Sequence, residues 1–457
     1  MFQLTMRLSA VCLLYWLQLS LLMSALRGLD FKYHGEEEMV NYLRLLNKKY
    51  PNMTKVYSIG KSVQGRELWV LAIGKHVASP VPLIPNVRYI GNIHGNEVVG
   101  RELLLHLAEH YLTMYSTNST IQTFLDSTNI HLLPCMNPDG FHISKPNYCD
   151  GIQGRNNSNN FDLNRNFPDS NNPRPPPIQP ETAAVIRWVH STHFVLSANL
   201  HGGAMVVNYP LDVFPGDIYS TRSSPSPDDD VFVHLSLVFS RSHANMYKGN
   251  HCHDHFVNGI TNGAEWYPVL GGMQDFVYKV ASGYEVLIEI SCCKYPRPSE
   301  LPKLWIYNKD ALINFMMTVH IGVKGIIYGE SVQNSSGVPL KGATISIKGR
   351  DIPFYTTSRG EYYKLLLPGN YVLMVSHPLY ESYSTFVKVQ SYEVTRKDIL
   401  LSLKSNHSEH TSSTPRRQGA ANSTISTVNT FDTANSSSPA SPLFHVLTFT
   451  LVVVLLF

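Results

Sequence analysis

The chain has 457 residues, enough for two or three domains, because single hydrophobic cores stop growing near ~250 to 300 residues. Lys and Arg number 37 against 34 Asp and Glu, a formal charge of +3, and no basic stripe with interleaved aromatics runs along the text. That balance argues against a nucleic-acid partner, whose phosphates call for clustered positive charge.

Residues 1–28 carry Arg7, an apolar run from Leu8 to Leu22, and small residues at Ser24, Ala25 and Gly28. This is the outline of a secretory signal peptide, its apolar run shorter than the ~20 residues a membrane span needs. Cleavage is expected between Ser24 and Leu29. Secretion permits disulfides, and removal of Cys12 leaves Cys135, Cys149, Cys252, Cys292 and Cys293. One of the five must stay unpaired or pair outside the chain. Triplets of the form N-x-[ST] at Asn52, Asn118, Asn156, Asn334, Asn406, Asn422 and Asn435 agree with a secreted glycoprotein.

Residues 29–321 alternate helical and strand-like segments, the pattern of an α/β domain. Met39, Val40, Leu43 and Leu46 recur at helical spacing, whereas 68–73 and 87–93 are short apolar runs of strand length. Across 322–404 the text changes to short strand-like runs (325–328, 343–348, 361–367, 371–376, 386–389) parted by Gly, Pro, Asn and Ser. Ala343, Ile345 and Ile347 alternate with Thr344, Ser346 and Lys348, as in a half-buried strand, so a small all-β sandwich is expected. Residues 405–442 hold almost no large apolar side chains and read as a Ser/Thr-rich stalk. Residues 443–457 are mostly apolar with no Lys or Arg after them, which reads as a GPI-anchor signal that is removed, with attachment expected among 435–438. These segments place the mature chain on the extracellular face of the plasma membrane, with shedding into the extracellular space as a second fate.

The phrase from Tyr89 to Glu97 ends an apolar strand and enters a helical run, so His94 and Glu97 stand on a strand-to-helix turn where both can reach one ion. A second apolar strand, 194–200, ends at His201. Two His and one Glu form a tripod that leaves zinc a fourth position for water, as in a catalytic site. An H-x-x-E pair alone is weak evidence, since such pairs also satisfy each other on surfaces. The cluster from His251 to His255 sits in a polar loop after a helix and reads as no second metal site. Asp228, Asp229 and Asp230 precede an apolar run and suit a helix N-terminus.

After H-G-x-E come, in order, P-x-M-N-P-D-G (134–140), Arg155-Asn156, D-L-N-R-N-F-P (162–168), N-L-H-G-G (199–203), G-G-M-Q-D (271–275) and E-I-S-C-C-K-Y-P (289–296). In this series the sequence resembles the zinc carboxypeptidases, and within them the N/E (regulatory) subfamily, from residue 29 to about 403. The resemblance implies an α/β catalytic domain with a mixed twisted sheet and helices on both faces, followed by a transthyretin-like β-sandwich. It implies one Zn2+ per catalytic domain, held by His94, Glu97 and His201, with Asp162 fixing the His94 ring. Glu289 would be the general base, Arg155 the donor to the developing oxyanion, and Tyr267 the residue that closes over the bound terminus. Asn164 and Arg165 would grip the terminal carboxylate, while Asp212 and Gln274 would line the pocket that selects Lys and Arg. In the same way it implies disulfides Cys149–Cys293 and Cys252–Cys292, with Cys135 left as a free thiol. Expected substrates are extracellular peptides and proteins ending in Arg or Lys, kinin-like and anaphylatoxin-like peptides among them. The alternative is a catalytically silent carboxypeptidase-like binding protein at the cell surface, against which the full set of motif residues argues.

Overall fold

The computed structural model describes residues 28–404 except 332, 333 and 392. The signal, stalk and anchor expectations for 1–27 and 405–457, with the triplets at Asn406, Asn422 and Asn435, lie outside the described residues.

Helix α1 (Glu36–Lys49) precedes β1 (Thr54–Lys61), β2 (Glu67–Ile73) and β3 (Asn86–Gly91). Then follow α2 (Val99–Met114), α3 (Ser119–Ser127), β4 (Asn129–Leu133), α4 (Pro138–Ile143), α5 (Pro180–Ser191), β5 (Phe194–His201) and β6 (Met205–Tyr209). Next come α6 (Asp229–Ser242), the short strands β7 (Asn250–His251) and β8 (Asp254–His255), β9 (Ile260–Asn262), α7 (Gly263–Trp266), α8 (Met273–Val280), β10 (Tyr284–Ile290) and α9 (Leu301–Met317).

Eight of these strands form one mixed sheet in the order β1-β2-β4-β3-β5-β10-β6-β9. The centre is parallel, β3 pairing with β4 and β5, and β5 with β10. Strands β5 and β10 are buried along their whole lengths, as strands covered on both faces are. One face packs on α1, α2, α3, α6 and α9 through Leu43, Leu107, Phe124, Phe239 and Phe315. The other packs on α5 and α8 through Val185, Trp188 and Phe276. In α1 the stripe Met39, Val40, Leu43 and Leu46 is buried, and Glu36, Glu37 and Glu38 at its start and Lys48 and Lys49 at its end complement the helix dipole. Because β4 lies on one side of β3 and β5 on the other, the connections from their carboxyl ends diverge and open a crevice.

Strands β11 (Val323–Ser331), β12 (Asn334–Pro339), β13 (Thr344–Ile347), β14 (Arg350–Tyr355), β15 (Glu361–Lys364), β16 (Gly369–His377), β17 (Tyr380–Val389), β18 (Thr395–Arg396) and β19 (Ile399–Leu401) complete the fold. They make two sheets, β12-β11-β15 with β18 and β19 also on β11, and β14-β13-β16-β17. Ile327, Ile345, Leu373 and Val387 fill the space between them. The fold is thus the expected α/β mixed sheet covered on both faces, followed by an all-β sandwich.

The two architectures share a buried interface. Asp228, fully buried, accepts Lys364 Nζ at 2.6 Å, Arg350 NH1 at 2.9 Å, and the hydroxyls of Tyr278 at 3.0 Å and Tyr284 at 3.3 Å. The acidic run that reads as a helix start does begin α6, but its first member also ties the sandwich to the sheet.

Candidate active site

Past the end of β3 the chain turns at Asn92, whose φ of 59° is left-handed. Asn92 Nδ2 donates to the carbonyls of His94 (2.8 Å), Gly95 (2.9 Å) and Glu97 (3.2 Å), so one side chain holds the turn that presents His94 and Glu97. A Cβ on Gly95 would collide with the Gly140 backbone, which explains the glycine between them. His201 closes β5. Glu97 Oε2 lies 3.0 Å from His94 Nδ1 and 2.8 Å from His201 Nδ1, and the two nitrogens are 3.2 Å apart. All three residues are buried. Among the described residues no other group of three His, Cys, Asp or Glu converges in this way, and the His251 to His255 segment does not.

Asp162 Oδ1 lies 3.0 Å from His94 Nε2, while Asp162 Oδ2 accepts Arg155 Nε at 3.2 Å and NH2 at 2.9 Å. Arg155 NH1 also reaches Glu97 Oε1 at 3.2 Å. Burial would raise the Asp162 carboxyl, but the hydrogen bond from His94 and the charges of Arg155 and Arg165 outweigh it and hold the group well below the usual range. Glu97 is likewise held far down, burial being overcome by His94 and His201. Asp162 Oδ1 also accepts Asn164 N at 2.9 Å, starting the turn that presents Asn164 and Arg165. Asn164 Oδ1 in turn accepts Met273 N at 3.0 Å and fastens that turn to α8.

Asp212 is 3% exposed. Gln274 Nε2 donates to its Oδ1 at 2.6 Å, and Gln274 Oε1 accepts Leu287 N at 2.9 Å. Side chains on Gly263 or Gly272 would overlap the Asp212 carboxylate, so both glycines make room for it. Burial, and then the charge of Asp275, push the Asp212 carboxyl well above its ordinary value. His94, Glu97, His201, Arg155, Asn164, Arg165, Asp212, Tyr267 and Glu289 all line one pocket, with Gln274 behind Asp212. Tyr267, directly after α7, is 41% exposed. Glu289, on β10, has no partner for Oε2; burial and the charge of Glu97 push its carboxyl up to about 8 against the pull of Lys294 and Arg155.

Residues 39–311, more than half of the chain, match the Peptidase M14 family model, described as zinc carboxypeptidase. The chain belongs to that family. Carboxypeptidase M of Mus musculus is 44% identical over 412 residues, covering 87% of this chain and 91% of that one. The carboxypeptidase N catalytic chain of Homo sapiens is 41% identical over 410 residues, covering 83% and 88%. Carboxypeptidase D of Mus musculus is 44% identical over 392 residues, 85% of this chain but 28% of the relative. Among solved structures, carboxypeptidase A from Helicoverpa armigera aligns with a TM-score of 0.49 at 20% identity, covering 64% of this chain and 75% of that one. The protein is a zinc metallocarboxypeptidase, a hydrolase.

The donor set of this carboxypeptidase suits zinc. Asp162 can only accept, so His94 Nε2 carries the proton; Asn199 Oδ1, 2.5 Å from His201 Nε2, takes the other. Both Nδ1 lone pairs then face Glu97 Oε2. Burial lowers His201 to about 4, keeping the imidazole neutral as a ligand must be. Three lone-pair-bearing atoms this close repel one another without a cation. Their spacings approach the ~3.3 Å edge of a tetrahedral site with nitrogen ligands at ~2.0 to 2.1 Å.

Sequence reasoning passed over Lys294, whose Nζ lies 3.8 Å from Glu97 Oε1 and whose charge acts on Glu289. The available signal was its position directly after Cys292-Cys293 at the end of the strand that carries Glu289. Bonds join Cys149 to Cys293 and Cys252 to Cys292, clamping two loops onto that end of β10. Cys135 is a buried thiol that donates to Asn92 Oδ1 at 3.1 Å. No helix among the described residues is long and apolar enough to cross a membrane.

Proposed function

We propose that this carboxypeptidase removes a single Arg or Lys from the C-terminus of extracellular peptides and proteins, with one Zn2+ held by His94, Glu97 and His201. The observation that carries the basic preference is Asp212. It is a buried carboxylate in the same pocket as Arg165 and Glu289, and among the described residues it forms no ion pair of its own. Such a charge is costly until a cation meets it, which favours substrates that bring one.

When bound, zinc supplies Lewis acidity and acidifies water. Glu289, buried and without a partner for Oε2, takes the proton from the attacking water and passes it to the leaving amine. Arg155 donates to the carbonyl oxygen as it gains negative charge. Asn164 and Arg165 grip the free terminal carboxylate and so confine cleavage to the last residue. Tyr267 closes over that residue, and Asp162 keeps the His94 ring in place. An extracellular setting is part of the proposal, because two structural disulfides need an oxidising compartment. GPI attachment to the plasma membrane rests on the apolar residues 443–457.

Three matched peptides ending in Arg, Leu and amidated Arg, incubated with the purified protein with and without a zinc chelator, test this reading. Release of Arg from the first peptide alone, lost on chelation and restored by zinc, is expected. Cleavage of the amidated peptide would refute the carboxylate grip, and equal cleavage of the Leu peptide would refute the role of Asp212. No cleavage of any peptide would favour a silent binding protein.

A further inference from the structure

Beneath the zinc site lies a buried polar chain that the reaction leaves unused. Arg88 on β3 is fully buried between Trp188 and Phe194, its guanidinium 5.5 Å and 5.0 Å from their ring centres. Its Nε and NH1 have no hydrogen-bond partner. Orphaned donors on a buried cation are expensive, and an Arg kept under those terms calls for an explanation. Its NH2 donates to Glu285 Oε2 on β10 at 2.6 Å, where Ser197 Oγ also donates at 2.7 Å. Glu285 Oε1 accepts Asn199 Nδ2 at 3.1 Å, and Asn199 Oδ1 lies 2.5 Å from His201 Nε2. Glu285 and Asn199 are fully buried.

We propose that Arg88, Glu285 and Asn199 form a positioning relay that decides which nitrogen of His201 faces the zinc site. The inference rests on zinc being held there by His201. Each link has one allowed direction. Arg88 can only donate, so the group facing it must accept. A carboxylate at 285 offers acceptors on both sides, so Asn199 must turn its NH2 toward Glu285 and its oxygen toward His201. Facing an acceptor, His201 carries its proton on Nε2 and leaves the Nδ1 lone pair for the metal. His94 is locked by a carboxylate in direct contact; His201 is locked by a carboxylate acting through an amide.

The variant Glu285→Gln isolates this logic, because it exchanges one oxygen for an NH2 without changing shape. Arg88 and Ser197 both donate to one oxygen, so the Gln oxygen takes that place and its NH2 faces Asn199. Asn199 must then turn its own oxygen to Gln and its NH2 to His201. The proton on His201 moves to Nδ1, and the lone pair that would meet zinc is lost. Zinc Kd, measured by competition with a chromophoric chelator, should rise about 10- to 100-fold. In the double variant N199D/E285Q the amide and carboxylate change places, and an acceptor faces His201 Nε2 again. Zinc affinity should return to within about threefold of the parent, which is strong coupling between the two sites. Histidine 15N shifts of the metal-free proteins should report the same tautomer change and recovery.

Unchanged zinc affinity in E285Q, or a loss that the double variant does not reverse, would overturn the relay. If E285Q does not fold, N199D carries the test. An acceptor still faces His201 Nε2 there, so the metal-free protein should keep the parent's His201 15N tautomer, and a proton found on Nδ1 instead would overturn the relay. Weak zinc binding by the parent protein would instead count against the zinc site itself, so the two failures are distinguishable.

Discussion

Replacing Asp212 by Asn removes one charge from the pocket while keeping its shape. The amide oxygen can still accept Gln274 Nε2, now at 2.6 Å, and no bulk is added against Gly263 and Gly272. What is lost is the anion proposed to meet the substrate's cationic end. Two unit charges ~4 Å apart at an effective dielectric constant of ~20 interact by about 4 kcal/mol, and breaking one buried pair costs about 3 to 5 kcal/mol. Relief of the strain of keeping Asp212 buried beside Asp275 offsets part of this. A net of about 3 kcal/mol remains, or roughly 100-fold in kcat/KM for an Arg-ending peptide. The matched Leu-ending peptide gains nothing from the charge and should be cleaved as well as before or better. The assay is the ratio of kcat/KM for the two peptides, with zinc content and thermal midpoint as controls. Because the Asp212 carboxyl is raised, it is charged only above that raised value, so the Arg preference should grow with pH in the parent and stay flat in the variant. A ratio changed by less than about threefold, with the fold and zinc content intact, would refute Asp212 as the selecting charge.

Other changes separate the reaction from the scaffold. Glu289→Gln should lower kcat by about 10^2- to 10^4-fold with unchanged zinc affinity, and should abolish the rise of kcat/KM with pH that a base held up at about 8 produces. His131 is lowered to about 3 by burial and then by the charge of Arg88, so between that value and ~6.5 the unfolded chain binds a proton that the fold refuses. Stability should therefore fall as pH drops through this window, and H131Q should remove up to about 1.4 kcal/mol per pH unit from the slope seen in urea titrations. Lys364→Met leaves buried Asp228 with Arg350 as its remaining cation and should cost about 3 kcal/mol of unfolding free energy, read by denaturant melts, while zinc affinity is unchanged.

The sheet was legible because its central strands are mostly apolar runs, and the His94–Glu97 pair because its turn is spelled by adjacent residues. His201 lies far along the chain, yet an apolar strand ending in His-Gly-Gly marked it. Strand β14 escaped notice because it is short, contains Pro353 and leaves alternate positions exposed. Asp228 was read as part of a helix start because nothing nearby foretells a lysine 136 residues later. The pairing of Arg88 with Glu285, across 197 residues, had no local signature either. Each looks locally like an isolated charge in an apolar strand, and only the register of the sheet reveals its partner.

Strand β10 divides its labour by parity. Tyr284, Val286, Ile288 and Ile290 enter the large core, whereas Glu285 meets Asn199 and both Leu287 and Glu289 line the pocket. A slip of one residue would drive both carboxylates into the core and strand four apolar side chains at the site. The register that presents Glu289 is thus enforced by the apolar core beneath it as well as by the polar contacts around the site.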